Sequence, residues 1–204
     1  MAEQSLDADL CATDCERCPA LVESRSRIVN GVGPTDADLV FVGEAPGATE
    51  DEEGEPFVGR SGSVLDDALR DAGLARSDVR ITNCVKCRPP DNRDPTAEEL
   101  DNCRGYLAEE LARLDPELVV TLGKVPSQHL LGRSVAVTKE AGEVFDTRVG
   151  DANVRLLVCL HPAATLYDRS QADAFEETIR RAADLAGLAD GDGSGNGQSR
   201  LGDY

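Results

Sequence analysis

The chain is predicted to be an α/β protein, with a mostly parallel sheet sandwiched between helices. Short apolar runs at 39–42, 79–83, 116–122 and 154–160 alternate with segments whose apolar residues recur at three- and four-residue steps. Polar loops rich in Gly or Pro follow the first two runs, and the 204-residue length suits one domain with a proper core.

Taken in order, residues 1–10 are polar and read as a short helix or a frayed end. Cys15-Glu-Arg-Cys18 follows, then a Gly-rich approach, 28–34, to the first strand at 39–42. A long loop, 43–59, carries Gly43, Gly47, Gly54 and Gly59 for tight turns and close backbone approach. It also carries Pro46 and Pro56, the carboxylates Glu44, Glu50 and Asp51, and Phe57, one of only four Phe in a chain without Trp. A helix is predicted over 61–73, with Val64, Leu65, Ala68, Leu69 and Ala72 on one face and Gly73 as its stop.

A second strand, 79–83, runs into the basic, proline-rich loop 84–95. Thr96, followed by Glu98 and Glu99, is an N-cap with an acidic first turn. That helix presents Leu100, Cys103, Leu107, Leu111 and Leu114. A third strand at 116–122 precedes a short helix at 125–131. Strands at 141–148 and 154–160 flank a turn at 150–153, and 172–188 is a closing amphipathic helix. The first 188 residues read as a single domain. Residues 189–204, dominated by Gly, Asp, Ser, Asn and Gln, read as a disordered tail.

Net charge is −18, and only three of the 21 basic residues are Lys. This acidity resembles that of proteins from salt-loving archaea. It argues against nucleic acid in dilute buffer, but molar salt screens the term, so the local placement of Arg and Lys matters more. The N-terminus lacks the pattern of a secretory leader. No apolar run approaches the ~20 residues of a membrane span. A soluble, cytoplasmic protein without disulfides is expected, monomeric by default.

In an α/β sheet, loops leaving the carboxyl ends of strands form the ligand site. Three such loops, 43–59, 83–95 and 161–169, bring together Glu44, Glu50, Phe57, Asn83, Lys86, Arg88 and His161. Singly, Phe57 suits a core and Asn83 a turn. Together, a stacking ring, an amide with donor and acceptor, and an imidazole suit a planar polar base. Seven Cys stand at 11, 15, 18, 84, 87, 103 and 159. Cys15 and Cys18 with Cys87 and Cys103 could form a four-thiolate centre, either structural zinc or a [4Fe–4S] cluster, and spacing alone slightly favours zinc. Cys11 is an alternative ligand. Cys84 and Cys159 suit ordinary buried thiols.

Several ordered motifs resemble the family 4 uracil-DNA glycosylases across about 15–181. They are Gly43-Glu-Ala-Pro-Gly47 with Glu50-Asp51, Gly54-Glu-Pro-Phe-Val-Gly59, Thr82-Asn-Cys-Val-Lys-Cys-Arg-Pro-Pro-Asp-Asn-Arg-Asp-Pro95, and His161-Pro-Ala163. The resemblance implies a three-layer α/β/α sandwich with a central four-stranded parallel sheet. It also implies a [4Fe–4S] cluster on Cys15, Cys18, Cys87 and Cys103, overturning the zinc preference, with a structural role. The implied reaction is excision of uracil flipped out of DNA.

By the same resemblance, Phe57 stacks on the base, Asn83 reads its edge, and His161 stabilises the leaving anion. Glu44 and Glu50 position water and support the cationic sugar, and the backbone at Glu44 and Ala45 adds hydrogen bonds. Position 45 is Ala where other uracil-DNA glycosylases carry an Asp that orients water, so the water-activating group is open. Lys86, Arg88 and Arg93 are expected near phosphates. The stretch after His161-Pro departs from the family pattern; Leu166 or Tyr167 is assigned to the wedge and Arg169 to a phosphate. Rival readings are an inactive, cluster-containing DNA-binding relative and a zinc-stabilised nucleotide-binding domain.

Overall fold

A computed structural model describes residues 11–166 and 168–188. The expected tail, the N-terminal decapeptide and Tyr167 lie outside the described residues. Elements follow in the order α1 (Pro19–Ser24), β1 (Leu39–Gly43), α2 (Ala48–Glu53), α3 (Arg60–Asp71), β2 (Arg80–Asn83), α4 (Ala97–Leu114), β3 (Leu118–Leu122), α5 (Lys124–Leu131), α6 (Val137–Glu140), β4 (Val144–Val149), β5 (Ala152–Cys159), α7 (Pro162–Thr165) and α8 (Arg169–Leu185).

The sheet order is β2-β1-β3-β5-β4. The four strands β2, β1, β3 and β5 run parallel, as expected, and β4 adds an antiparallel fifth at the edge through its hairpin with β5. The central strands read as continuous apolar runs because both their faces are covered. Side chains alternate between two cores. Leu39, Phe41, Leu118, Val120 and Leu157 pack with Leu65 and Leu69 of α3 and Phe175 and Ile179 of α8. Val40, Val42, Val119, Leu156 and Val158 pack with Leu107, Leu111 and Leu114 of α4. Three layers result from this period-two division.

Register aligns the strand ends. Gly43 pairs with Asn83, Val42 with Thr121, and Leu122 with Cys159. The residues that leave these ends, Glu44, Cys84, Gly123 and His161, therefore emerge along one rim. Thr96 caps α4 as predicted: its side chain accepts from Glu99 N at 3.2 Å, and Glu99 Oε2 accepts from Thr96 N at 2.8 Å. The 43–59 loop is less irregular than expected, since it contains α2. Its cap is the backbone of Gly47 held by Glu50 rather than a Ser, Thr or Asp side chain, which removes the usual sequence signal.

A buried ionic cluster fastens β2 to α4. Arg80 and Glu110 are fully buried, and Lys86 is 2% exposed. Glu110 Oε1 accepts from Arg80 Nε at 2.7 Å; Oε2 accepts from Lys86 Nζ at 2.8 Å and from Thr82 Oγ1 at 3.0 Å. Lys86 also donates to Thr82, and Arg80 Nη1 donates to Gly33 O at 2.9 Å. Burial alone would raise the Glu110 carboxyl, but Lys86 and Arg80 hold it below its ordinary value.

This corrects one expectation. Lys86 does not face phosphate, because its ammonium is withdrawn from solvent and committed to Glu110. A carboxylate among Leu107, Leu111 and Leu114 on an apolar helix face was the sequence sign of such a partner. Replacing it leaves two buried cations uncompensated. Glu110→Ala is expected to lower folding stability by about 3–5 kcal/mol, measured by denaturant unfolding; a loss under about 1 kcal/mol would contradict the arrangement.

Candidate functional site

The aligned strand ends open into a cavity of about 180 Å3 lined by Glu44, Ala45, Gly47, Glu50, Phe57, Ser61, Asn83 and His161. The two carboxylates, the ring, the amide and the imidazole expected from the sequence all reach it. Lys86 and Arg88 do not line it. Ser61 does, and was not anticipated. It stands in the first turn of α3, and a helix that starts beside a strand-end loop was the available signal.

Phe57 is 6% exposed and adopts φ of 54°, in the left-handed region. Holding a bulky residue there costs about 1–3 kcal/mol. Two glycines make the position possible. A Cβ at Gly62 would stand 1.8 Å from Phe57 O, and one at Gly43 would stand 2.5 Å from the Phe57 ring and 2.3 Å from Asn83 Oδ1. The ring is thereby pressed over the end of β1. Its centroid lies 6.0 Å from that of His161, at an interplanar angle of 35°.

Glu50 fastens the loop. Its Oε1 accepts from Gly59 N at 3.0 Å and its Oε2 from Gly47 N at 3.2 Å, tying both ends of the α2 segment together. With both oxygens so engaged, Glu50 braces the pocket wall. Asp51, 2% exposed, accepts from Ser26 N at 2.9 Å and so anchors the same segment to the chain after α1.

Asn83 is 2% exposed, and its Oδ1 is buried without a hydrogen-bond partner. Such an orphan acceptor, at the edge of a cavity, is an unmet requirement that a ligand N–H can satisfy. His161 Nδ1 accepts from Ala163 N at 3.1 Å. This bond assigns the proton to Nε2, which makes Nε2–H a donor. Burial lowers the imidazole pKa, with Glu50 opposing weakly, so the ring is neutral. Burial and the charge of Asp94 raise the Glu44 carboxyl to about 7.

Cys15, Cys18, Cys87 and Cys103 line a second, smaller cavity together with Arg25 and Asn102. Cys87 Sγ accepts from Arg25 Nη1 at 2.9 Å, Cys103 Sγ from Lys86 N at 3.4 Å, and Cys18 Sγ from Asn102 Nδ2 at 3.5 Å. No group of three or more His, Cys, Asp or Glu side chains among the described residues is arranged to hold a single metal ion. Cys84 and Cys159 are fully buried, and burial pushes the Cys84 thiol up to about 12, as suits inert core thiols.

Of the basic residues expected at phosphates, Arg88 Nε donates to Asn92 Oδ1 at 2.8 Å on the loop surface. Arg93 grips Glu99 with both terminal nitrogens, at 2.8 and 2.7 Å. Arg169 opens α8, exposed. Leu166, 40% exposed, is the one exposed large hydrophobic side chain among the described residues.

The family model of the Uracil DNA glycosylase superfamily matches residues 30–184. A protein named Type-4 uracil-DNA glycosylase in Archaeoglobus fulgidus is 38% identical over 177 residues, covering 85% of this chain and 88% of that protein. One of the same name in Thermotoga maritima is 41% identical over 157 residues, covering 76% and 80%. A Type-5 uracil-DNA glycosylase of Pyrobaculum aerophilum is 35% identical over 209 residues, covering 85% and 90%.

The raised Glu44 carboxyl has a consequence for stability. Between its ordinary pKa of 4.5 and about 7, the folded chain keeps a proton that the unfolded chain releases, so this group's contribution to stability falls as pH rises through that window. Glu44→Gln cannot ionise. It is expected to match the parent in melting temperature near pH 4 and to exceed it near pH 8, with most of the difference developing between. Parallel melting curves across that range would contradict the shift.

Proposed function

The chain belongs to the uracil DNA glycosylase superfamily, and on that premise we propose that the Phe57–Asn83–His161 pocket hydrolyses the bond between uracil N1 and deoxyribose C1′ in DNA, leaving an abasic site. The observation that carries this reading is the orphan Oδ1 of Asn83 at the pocket edge. Uracil presents N3–H as donor and O4 as acceptor, which matches Asn83 Oδ1 and Nδ2 respectively. Cytosine presents the reverse and leaves both groups of Asn83 facing their like.

A base in a duplex must leave the stack to enter such a cavity. Phe57 supplies the surface on which it stacks. His161, neutral with Nε2–H, donates to O2 as the departing base gathers negative charge; a preorganised donor of this kind is typically worth about 10²–10³ in rate. Glu44 supports the oxocarbenium-like sugar and orients the water that attacks C1′. The water adds to C1′ as the C1′–N1 bond breaks, and its spare proton neutralises the departing base. Ala45 contributes no polar side chain, so its part is its backbone amide. Arg88, Arg93 and Arg169 are assigned to flanking phosphates, and Leu166 to the space vacated by the flipped nucleotide.

We further assign the second cavity to a [4Fe–4S] cluster on Cys15, Cys18, Cys87 and Cys103. The fit rests on the donor set. Four thiols line one small cavity, and three of them accept N–H bonds, as suits a four-thiolate centre. Bound there, the cluster would cross-link the N-terminal segment, the 84–95 loop and α4. Arg88 and Arg93 extend from that same loop.

Excision from oligonucleotides carrying U·G, U·A, T·G and single-stranded uracil, in dilute buffer and in molar potassium chloride, tests the activity. Abasic sites formed from uracil alone are the expected result. No product from protein with an intact cluster would favour the inactive relative. Asn83→Asp loses the amide donor to O4 and is expected to lower the uracil-to-cytosine ratio by roughly one to two orders of magnitude, the worth of about 1–3 kcal/mol for a paired base edge. Unchanged selectivity would remove Asn83 from recognition. Cys87→Ser is expected to lose visible absorbance and iron, with a melting temperature lower by roughly 10 °C, about 3 kcal/mol at this chain length. A coloured, equally stable variant would mean that Cys87 is not a ligand.

A further inference from the structure

Three of the four clustered thiols accept a hydrogen bond from elsewhere in the chain. Cys103 meets a backbone amide and Cys18 the side-chain amide of Asn102. Among the described residues, only Cys87 of the four meets a charged side chain directly, the guanidinium of Arg25 at 2.9 Å. Arg25 is held at three points. Its backbone N–H donates to Leu21 O at 2.9 Å, closing α1, and its Nη2 donates to Cys15 O at 2.8 Å. Its Nη1 is thereby aimed at Cys87 by the same peptide that carries a second ligand. Of the other cations near these sulfurs, Lys86 has its ammonium committed to Glu110 at 2.8 Å, and Arg17, which lines the same cavity, donates to Asn102 O at 3.1 Å.

We infer that Arg25 is a positioning residue that sets the electron affinity of the cluster by donating a charged hydrogen bond to Cys87 Sγ. The inference rests on the cluster reading above. Hydrogen bonds to ligand sulfurs and nearby charge are levers on cluster potential. A cluster held by four thiolates gains negative charge when it takes up an electron, so a fixed cation on one sulfur stabilises the reduced state more than the oxidised one. Charge-assisted bonds are about twice as strong as neutral ones, which distinguishes Cys87 from the other three corners.

The test begins with iron and sulfide analysis of the parent protein. Absence of both overturns the cluster reading and this inference with it. With the cluster present, dithionite is added under mediators: one electron enters the cluster, dithionite is oxidised, and no protein bond forms or breaks. The midpoint is read from visible bleaching and from the paramagnetic signal of the reduced state. Arg25→Gln is expected to move the midpoint to more negative potential by a factor of roughly ten in the reduction equilibrium, about 59 mV for one electron. Arg25→Lys keeps the charge but cannot reach Cys15 O and Cys87 Sγ together, and a smaller shift in the same direction is expected.

Arg27→Gln removes a nearby cation whose backbone N–H bonds to Asp51 rather than to sulfur, and is expected to leave the midpoint unchanged. A parent midpoint retained in both Arg25 variants, or an equal shift in Arg27→Gln, overturns the role of Arg25 while leaving the cluster reading intact. Should Arg25→Gln shed its iron, Arg25→Lys decides: a negative shift upholds the inference and none overturns it.

Discussion

The interaction on which the rest of the structure depends is the burial of Glu110 between Arg80 and Lys86. One carboxylate on α4 pairs with a cation within β2 and with another in the loop that follows it. Three residues after Arg80 comes Asn83, and one after Lys86 comes Cys87. Seven residues before Glu110, on the same helix, comes Cys103. A single ionic cluster therefore sets where the pocket amide of Asn83 and two of the clustered thiols stand. Such clusters often add little net stability, because desolvating the charges offsets their attraction. What this one supplies is a unique placement of strand, loop and helix, since any slip would leave a charge unpaired in the interior.

The pocket is preorganised by a different device. Phe57 is held in a costly backbone region, pressed down where Gly43 and Gly62 leave no room for a side chain. Glu50 closes the loop around it from both sides. The ring, the amide and the imidazole then stand fixed around a small cavity before any ligand arrives. The orphaned oxygen of Asn83 and the strain at Phe57 are local costs, and both fall on the lining of the pocket. Functional sites are where such local conflicts concentrate.

Charge poses the opposite problem. A chain with net charge −18 must approach a polyanion. Arg88 and Arg93 stand on the loop after β2, and Arg169 and Leu166 are exposed after β5. Arg93 is paired with Glu99 through both terminal nitrogens, which leaves few unopposed cations among these residues.

Much was determined by the sequence alone. Alternating apolar runs and helical periodicities specify an α/β sandwich, because period two and period 3.6 bury different faces. The motif residues Glu44, Phe57, Asn83 and His161 could be placed together, because loops at the carboxyl ends of parallel strands converge by topology. Other features were decided only in three dimensions. Lys86 reads as a surface cation in a basic loop, and only its long-range pairing with Glu110 withdraws it. Glu50 reads as a catalytic carboxylate, and only the folded loop shows both oxygens bound to backbone amides. Ser61 enters the pocket because α3 begins there, and Arg25 meets Cys87 across 62 residues of chain. Periodicity and motif spacing report local geometry and topology. The partner of a buried charge, or of a sulfur, depends on which side chains distant segments bring within about 3 Å, and no local pattern encodes that.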